Sequence, residues 1–275
     1  MFSYIDPSVK KDLMRDHKLV LIDERGRPIN GAGTSPFISI VGPVPLPIQL
    51  PIGARTFLWY AAVRHSDLDR IEGVVNEVRE KGPRMLFALL ADHMAVNSAL
   101  VYGDFAAADS PLVRVHSNCL TGDVFGSMRC DCGPQLQAAL EQIARHGAGA
   151  VIYMAGHEGR GIGLWAKAIT YLLQDAGQDT YQANERLGLP TDSRDFSDAG
   201  RVLLYLLGGN KRVRLLGNNP LKRKALEEVG IEVAAQVPLV VGVNPFNARY
   251  LDSKREHGHL IPLEAVRGVG KPPTT

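Results

Sequence analysis

Short apolar runs alternate along most of the chain with segments in which apolar residues recur every three or four positions. The runs predict strands, and the recurrent spacing predicts helices. Strands are predicted at 56–63, 98–102, 112–115, 149–154, 212–216 and 231–235. Helices are predicted from Ser66 to about residue 78 and at 134–146, 164–176, 196–207 and 222–229. Because both types alternate, we expect an α/β (α+β) fold, with a mixed β-sheet layered with helices.

The first hundred residues show a different pattern. An apolar run followed by a charged glycine turn at 18–29 predicts a β-hairpin, and the glycines and prolines at 31–47 predict an irregular, extended segment. We therefore predict a β-rich N-terminal extension at 1–98, an accessory region whose sequence carries no recognisable chemistry. A catalytic domain at 99–261 and a flexible tail at 262–275 complete the predicted organisation.

Composition and charge are those of an ordinary soluble protein, with 45% hydrophobic and 22% charged residues. The net charge of +2 is too small to indicate a nucleic-acid partner, and no apolar run reaches the length of a membrane span. Three cysteines are an odd number, which speaks against a disulfide framework. Unpaired thiols and the lack of an export signal predict a cytoplasmic location.

The three cysteines, Cys119, Cys130 and Cys132, fall in a C-x10-C-x-C pattern. This pattern suits a tetrahedral Zn2+ with one open position for a water made acidic by the metal, and we predict that these residues form a catalytic zinc site in the loop after a strand. Two alternatives stay open on spacing alone: a structural site that His116 or another histidine completes, and three buried, inert thiols. Polar and cationic neighbours favour the catalytic site; they are Arg114, His116, Ser117, Thr121, Asp123 and Arg129.

Further motifs place charge beside glycines or helix starts. The segment E-G-R-G-I-G-L at 158–164 lies between a strand and a helix, where glycines allow close approach of a ligand. Glu158 could bind a guanidine-like base edge and Arg160 a phosphate. Lys222 and Arg223 follow N-N-P at a helix start, where either could supply charge to a phosphate cradle; the alternative is a basic turn facing water.

Two other positions have an ordinary alternative as well. Asp192 and Arg194 lie two residues apart in a loop, where they could form either an acid–cation pair of an active site or a surface ion pair. Tyr171 lies in the middle of a predicted helix, where a single tyrosine is usually part of the core.

Together these motifs resemble GTP cyclohydrolase II. The resemblance covers 99–261 and is carried by R-V-H-S-x-C-L-T-G-D-x-F-G-S-x-R-C-D-C-G, E-G-R-G-I-G-L, D-x-R-D and N-N-P, in that order. It implies that GTP is the small-molecule substrate, that its imidazole ring is opened, and that formate and pyrophosphate are released. The product would be the diaminopyrimidine precursor of riboflavin, in the first step of its biosynthesis. The resemblance also implies a homodimer, one Zn2+ per subunit, and Mg2+ with the triphosphate.

The resemblance assigns roles to individual residues, beginning with the three cysteines as zinc ligands. Asp192 would be the proton acceptor, Arg194 a nucleophile on the α-phosphorus, and Tyr171 an active-site residue that helps to complete ring opening. Because arginine stays protonated in proteins, a cation that stabilises the transition state is a better role for Arg194. The implied nucleotide-binding residues are Arg114, Val115, His116, Ser117, Asn118, Gln135, Glu158, Gly159, Arg160, Thr180, Gly217 and Lys222.

Three positions depart from the family's pattern. Asn118 stands where an acidic residue is common, Ala155-Gly156-His157 where Arg-Gln is usual, and Gly217 where a threonine is common. One alternative is therefore a divergent paralogue that stops at the formamidopyrimidine, or that serves uracil or pyrimidine catabolism or secondary metabolism. A second is a non-catalytic GTP-binding regulator. A nucleobase deaminase is disfavoured because its H-x-E…P-C-x-x-C signature is missing.

Overall fold

The structure is a computed structural model that describes residues 7–29, 34–68, 95–267 and 269–270. Its strands form one sheet of eight, in the order β1-β2-β3-β4-β6-β5-β7-β8. The strands are β1 (Leu19–Ile22), β2 (Ile38–Leu50), β3 (Gly53–Arg64), β4 (Asn97–Tyr102), β5 (Leu112–Ser117), β6 (Gly149–Met154), β7 (Arg212–Leu216) and β8 (Glu232–Val237). The predicted α/β fold with a mixed sheet is confirmed.

The sheet has an antiparallel half and a parallel half. Strands β1 to β4 pair antiparallel in sequence order, and β4 pairs antiparallel with β6. Strand β5 is parallel to both β6 and β7, and β7 is parallel to β8. The chain therefore passes from β5 to β6 on one side and later to β7 on the other. Such a switch point leaves a crevice at the carboxyl ends of the strands, which is where ligands bind in open α/β sheets.

The helices that follow β4 cover both faces of the parallel half, whereas the first helix packs against β1. In chain order, the described helices are α1 (Pro7–Arg15), α2 (Leu120–Asp123), α3 (Cys132–His146), α4 (Gly163–Asp175), α5 (Thr180–Arg186), α6 (Ser197–Leu207), α7 (Pro220–Glu228), α8 (Ala248–Glu256) and α9 (Leu263–Val266), with a 3-10 turn at Ala155–Gly161. Alternate residues of β6 belong to different apolar clusters, since Ile152 packs with α6 residues and Val151 with α3 residues. Because successive strand residues point to opposite faces, the core lies on both sides of the sheet.

Most predicted elements after residue 98 are present within two or three residues of their expected ends. Helix α3 ends at Gly147, which adopts the left-handed conformation (φ 91°) and donates its N–H to Ile143 O. Glycine adopts this conformation at little cost, so it terminates the helix before β6. These short local signals therefore place β5, β6 and β7, the strands that carry the candidate site.

The irregular segment predicted at 31–47 is wrong for its second half. Strand β2 runs from Ile38 through Gly42-Pro43, with a register shift between Val41 and Val44. Beyond Val41 this strand has only β3 as a partner among the described residues. An edge strand tolerates proline because the missing N–H removes no ladder hydrogen bond, so the prolines that predicted irregularity are compatible with a strand.

Three other predictions for the N- and C-terminal regions agree with the structure only in part. The hairpin at 18–29 is present as β1 with a bridge from Ile22 to Pro28, whereas the helix predicted from Ser66 lies mostly outside the described residues. The predicted domain boundary at 98 falls within β4, which pairs with β3. Within the predicted tail, Leu263–Val266 form one helical turn. None of the described helices is long and apolar enough to cross a membrane.

Candidate active site

A cleft of about 1060 Å³ lies at the carboxyl ends of the parallel strands, where the loops after β5, β6 and β7 meet. Fifteen of the eighteen site residues predicted from sequence line it: Arg114, His116, Ser117, Asn118, Cys119, Cys130, Cys132, Gln135, Glu158, Gly159, Arg160, Tyr171, Thr180, Arg194 and Lys222. The segments that carry them are separated along the chain and are brought together by the switch point of the sheet.

The remaining three predicted residues lie just behind the lining. The Val115 carbonyl accepts a hydrogen bond of 2.7 Å from Lys222 Nζ. Asp192 holds the guanidinium of Arg194, and Gly217 lies against the guanidinium of Arg114. Each of the three therefore supports a residue that does face the cleft.

The three thiols converge at one end of the cleft. Cys119 precedes α2, and Cys130 and Cys132 lie at the start of α3. Their sulfur atoms all lie within 4.8 Å of one another, and Cys119 Sγ is 3.7 Å from Cys130 Sγ. A Zn–S distance of about 2.3 Å in a tetrahedral site separates the sulfurs by about 3.8 Å. The thiols therefore fit a tetrahedral metal ion.

Gly122 gives these sulfurs their space. A Cβ at this position would lie 2.7 Å from Cys130 Sγ and 3.2 Å from Cys119 Sγ. Real Cβ atoms do not approach sulfur so closely, so any other residue would displace the thiols. The glycine of the L-T-G-D segment is thus required by the sulfur cluster itself.

The protonation of the thiols is consistent with a cation site. Hydrogen bonds from Cys130 and Cys132 lower the pKa of Cys119, and the hydrogen bond with Cys119 raises the pKa of Cys130 to about 11. The pKa of Cys132 is also raised, first by its hydrogen bond with Cys119. A divalent ion with thiolate ligands would displace the remaining thiol protons.

His116 does not complete this group. Among the described residues, the converging ligand atoms belong to the three cysteines, and His116 Nε2 lies 3.1 Å from both carboxylate oxygens of Asp123. Asp123 Oδ2 also accepts hydrogen bonds from Tyr153 Oη and from the backbone N–H of Cys119, each at 3.0 Å. Burial lowers the pKa of His116. This buried histidine–aspartate pair therefore orients the first cysteine from behind.

Lys167, which the sequence analysis did not select, lies beside the thiols. Its Nζ is 3.2 Å from Cys119 Sγ and 2.5 Å from Glu158 Oε1. The other oxygen of Glu158 accepts the backbone N–H of Leu120 at 2.7 Å. The carboxylate that was expected to bind a base edge is therefore engaged by donors of the chain itself. The available signal was the position of Lys167 one helical turn before Tyr171.

Tyr171 faces the cleft instead of the core. Its hydroxyl lies 3.1 Å from Thr121 Oγ1, which in turn lies 3.6 Å from Cys119 Sγ. Arg129 stacks on the ring with its guanidinium carbon 4.4 Å from the centroid. Burial raises the pKa of Tyr171, so its hydroxyl keeps its proton at neutral pH.

The other end of the cleft is cationic. Lys222 is buried, and burial followed by the charges of Arg114 and Arg194 lowers its pKa well below the usual value. Arg160 has both terminal guanidinium nitrogens buried without a hydrogen-bond partner, and its backbone adopts φ 65°. Its guanidinium carbon lies 3.6 Å from the centroid of the Tyr181 ring. Buried, under-paired cations of this kind suit an anionic ligand.

Asp192 and Arg194 form a largely buried pair in the cleft wall, so the surface alternative does not apply. Arg194 Nη2 and Nε donate to the two carboxylate oxygens of Asp192 at 2.5 and 2.8 Å, and the Arg194 side chain is only 11% exposed. Burial opposes ionisation, but the hydrogen bonds and charge of Arg194 lower the pKa of Asp192 overall. Arg194 Nη1 also donates to Ser117 Oγ at 3.3 Å. The guanidinium is therefore held rigidly in the cleft wall.

A chain of polar contacts connects α8 to β5. Lys254 Nζ donates to Asp131 Oδ1 at 3.0 Å, Gln135 Nε2 donates to Asp131 Oδ2 at 2.5 Å, and Arg114 Nη2 donates to Gln135 Oε1 at 2.5 Å. A Cβ at Gly217 would lie 2.7 Å from Arg114 Nη1. Gly217 thus leaves the room that the arginine occupies. Lys254 is a further cleft residue that sequence analysis missed.

Two histidines in the lining were also missed. His157 Nε2 lies 3.0 Å from the Asp195 carbonyl, and its Nδ1 lies 3.3 Å from Ser117 Oγ. His259 follows α8, and its Nδ1 is buried without a hydrogen-bond partner. Burial, followed by neighbouring cations, lowers the pKa of His157 to about 4 and that of His259 to about 3. Both imidazoles are therefore neutral at physiological pH.

Fold and site together define an α/β protein with three converging thiols that could hold a metal ion at one end of a cationic cleft. Comparison with known proteins narrows this class. The family model of GTP cyclohydrolase II matches residues 86–238, and the chain belongs to that family. The match starts before the boundary predicted at residue 98, so it includes part of the predicted accessory region.

Several curated relatives carry the name riboflavin biosynthesis protein RibBA. That of Salinispora arenicola is 54% identical over 173 residues, which are 62% of this chain and 41% of the relative. That of Mycobacteroides abscessus is 55% identical over 166 residues, 58% and 39% of the two chains, and that of Mycobacterium tuberculosis 54% over 169 residues, 61% and 39%. The aligned part thus spans about two fifths of the length of these relatives.

Proposed function

We propose that this protein is a zinc-dependent hydrolase that opens the imidazole ring of GTP and releases formate and pyrophosphate. The single observation that carries the proposal is one cleft with three converging thiols at one end and buried, under-paired cations at the other. Family membership supplies the substrate class. The product would be the diaminopyrimidine precursor of riboflavin, in line with the name that the curated relatives carry.

Each end of the cleft has its own task in this proposal. A Zn2+ held by Cys119, Cys130 and Cys132 would supply Lewis-acid chemistry and an acidic water for attack on the purine ring. Tyr171, whose hydroxyl is connected to the sulfur cluster through Thr121, is placed to donate or return a proton during ring opening.

The cationic end would bind the triphosphate. Arg160 has free buried donors for a phosphate, and Lys222, at the start of α7, would add a charge because a bound anion favours its protonated form. Mg2+ would accompany the phosphates and share their charge. Gln135, whose side chain is already engaged, would shape the nucleotide site through Arg114, and Glu158 would do so through the backbone N–H of Leu120 that it accepts.

Asp192 and Arg194 act as a unit in this proposal. The carboxylate grips the guanidinium through two hydrogen bonds and keeps it charged, which favours Arg194 as a cation that stabilises the leaving pyrophosphate. A neutral guanidine nucleophile would have to lose its proton beside a carboxylate, and that arrangement opposes the loss. If Asp192 accepted a proton, it would lose its ion pair with Arg194.

We also propose that the protein acts in the cytoplasm as a homodimer, with GTP as its partner and neither nucleic acid nor membrane involved. The N-terminal strands β1 to β3 would serve as a structural extension of the catalytic sheet, because β3 pairs with β4 in one continuous sheet.

The deciding experiment incubates the zinc-loaded protein with GTP and Mg2+ and quantifies formate, pyrophosphate and the pyrimidine product by mass spectrometry. We expect formate and pyrophosphate in equal amounts. Pyrophosphate without formate would establish the paralogue that stops at the formamidopyrimidine, and binding without turnover would establish the regulator.

A matched pair of lysine variants tests the cationic end. Lys222 is buried at the cleft, whereas Lys224 lies two positions along the same helix with its side chain 72% exposed. Lys222→Met should raise the KM for GTP by about tenfold or more, since a charge-assisted hydrogen bond contributes roughly 1.5 to 3 kcal/mol. Lys224→Met should leave KM unchanged. Equal KM values for the two variants would show that Lys222 does not bind the phosphates.

A further inference from the structure

Lys167 is the buried cation of the sulfur end of the cleft. It projects from α4 with its side chain 9% exposed, and its Nζ reaches two acceptors, Cys119 Sγ at 3.2 Å and Glu158 Oε1 at 2.5 Å. The proposed reaction assigns no role to Lys167. A buried ammonium is costly unless it is paired and hydrogen-bonded, so its partners indicate what it is for.

The surrounding backbone keeps the amine against the sulfur. Glu158 binds Lys167 through one oxygen and the N–H of Leu120, the residue after Cys119, through the other. Gly159 has φ 58°, and a Cβ there would lie 3.1 Å from Lys167 Cβ. The glycine-rich turn after β6 therefore brings the carboxylate and the lysine to the first cysteine together.

We propose that Lys167 is a positioning residue that donates a charged hydrogen bond to Cys119 Sγ and thereby reduces the electron donation of this thiolate to the bound metal ion. Groups that hydrogen-bond to metal ligands orient them and adjust the electronic properties of the ion. A thiolate that shares its lone pair with an ammonium leaves the ion more electrophilic. The inference rests on the proposed metal site and does not depend on GTP as the substrate.

The test replaces the metal with Co2+, whose thiolate complexes report directly on sulfur. Lys167→Met removes the donor and Lys167→Arg keeps a charged donor. Lys224→Met, at an exposed position of α7, is the control. With one Co2+ bound per chain, we expect the sulfur-to-cobalt charge-transfer band of Lys167→Met to move to lower energy. Lys167→Arg should shift back toward the wild-type band, and Lys224→Met should retain it.

A double variant separates the hydrogen bond from the charge of the neighbouring carboxylate. Lys167→Met leaves Glu158 buried without its cation, which could itself perturb the site or the folding of the protein. Lys167→Met combined with Glu158→Gln removes both charges, and we expect its charge-transfer band to stay at the lower energy. A band at the wild-type energy in this double variant, or in a fully cobalt-loaded Lys167→Met, would overturn the proposal.

The same variants distinguish this inference from the proposed function. The spectra are recorded without nucleotide, so a shifted band in a protein that does not turn over GTP would uphold the role of Lys167 while the cyclohydrolase activity fails. If the protein is active with zinc, Lys167→Met should lower kcat and leave the KM for GTP within about twofold. Lys167 acts on the metal ion and not on the bound nucleotide, so ground-state binding of GTP is unaffected. A rise in KM at unchanged kcat would contradict the inference.

Discussion

The pH dependence of stability offers a direct test of the cleft's electrostatics through His157. This histidine is buried, contacts the Asp195 carbonyl through Nε2, and packs its edge on Phe196 with ring centroids 5.0 Å apart. Burial, followed by the charges of Arg194 and Lys222, lowers its pKa from 6.5 to about 4. We expect His157→Gln to remove this titration while the amide group keeps a donor near Asp195.

The sign and size follow from the two pKa values. Above the unfolded pKa both states are neutral at this position, and His157 contributes no pH dependence. As the pH falls from about 6.5 to about 4, His157 becomes protonated in the unfolded chain but stays neutral in the folded protein. The free energy of unfolding therefore decreases. The linkage relation gives a loss of about 2 kcal/mol between about pH 7 and about pH 5 and roughly 3 kcal/mol in total.

The assay is urea unfolding, followed by circular dichroism, of wild type, His157→Gln and His146→Gln at a series of pH values with the same zinc content. His146 is an exposed histidine at the end of α3 and serves as the control. Wild type and the control should lose about 2 kcal/mol more than His157→Gln between about pH 7 and about pH 5. Parallel stability curves for wild type and His157→Gln would refute the electrostatic description of this part of the cleft.

Three further substitutions test the metal site, the nucleotide site and the sheet. Gly122→Ala would place a methyl group 2.7 Å from Cys130 Sγ, so we expect zinc binding at least about tenfold weaker in chelator competition, with far-ultraviolet circular dichroism retained. Undiminished affinity would contradict the sulfur geometry. Gly217→Ala would press on the Arg114 guanidinium, and we expect a severalfold higher KM for GTP in steady-state kinetics; an unchanged KM would mean that Arg114 does not contact the nucleotide. Phe57→Ala, in a fully buried position of β3, should cost about 3 to 5 kcal/mol in urea unfolding, whereas a loss below about 1 kcal/mol would show that β3 contributes little to the common core.

The parallel half of the sheet could be predicted because its signals are local. The apolar run at Gly149–Met154 and the glycine after His146 act within a few residues, and both are found where the pattern places them. Strand β2 could not be predicted in the same way. Its prolines are compatible with a strand only because that stretch lies at the edge of the sheet, a fact that depends on its partners.

The candidate site shows the same division. The spacing of the cysteines was sufficient to predict three convergent thiols, since two of them begin one helix and the third follows the neighbouring strand. The helical spacing of Lys167 and Tyr171 was the only local signal for this lysine, and its contact with Cys119 joins residues 48 positions apart, which no local pattern predicts. Glu158, which the sequence predicts as a nucleotide-binding residue, lines the cleft, but its partners became visible only in the folded chain.

The sequence alone determined which chemical groups this protein possesses and which short segments carry them, because residue type and local periodicity are properties of neighbouring positions. Only the tertiary structure decided which groups meet. The reversal of strand order between β5 and β7 brings separate loops to one cleft, and burial there determines whether a lysine, a histidine or a thiol carries charge. Which groups meet and which of them carry charge depend on distances across the fold, and these distances cannot be read from the linear sequence.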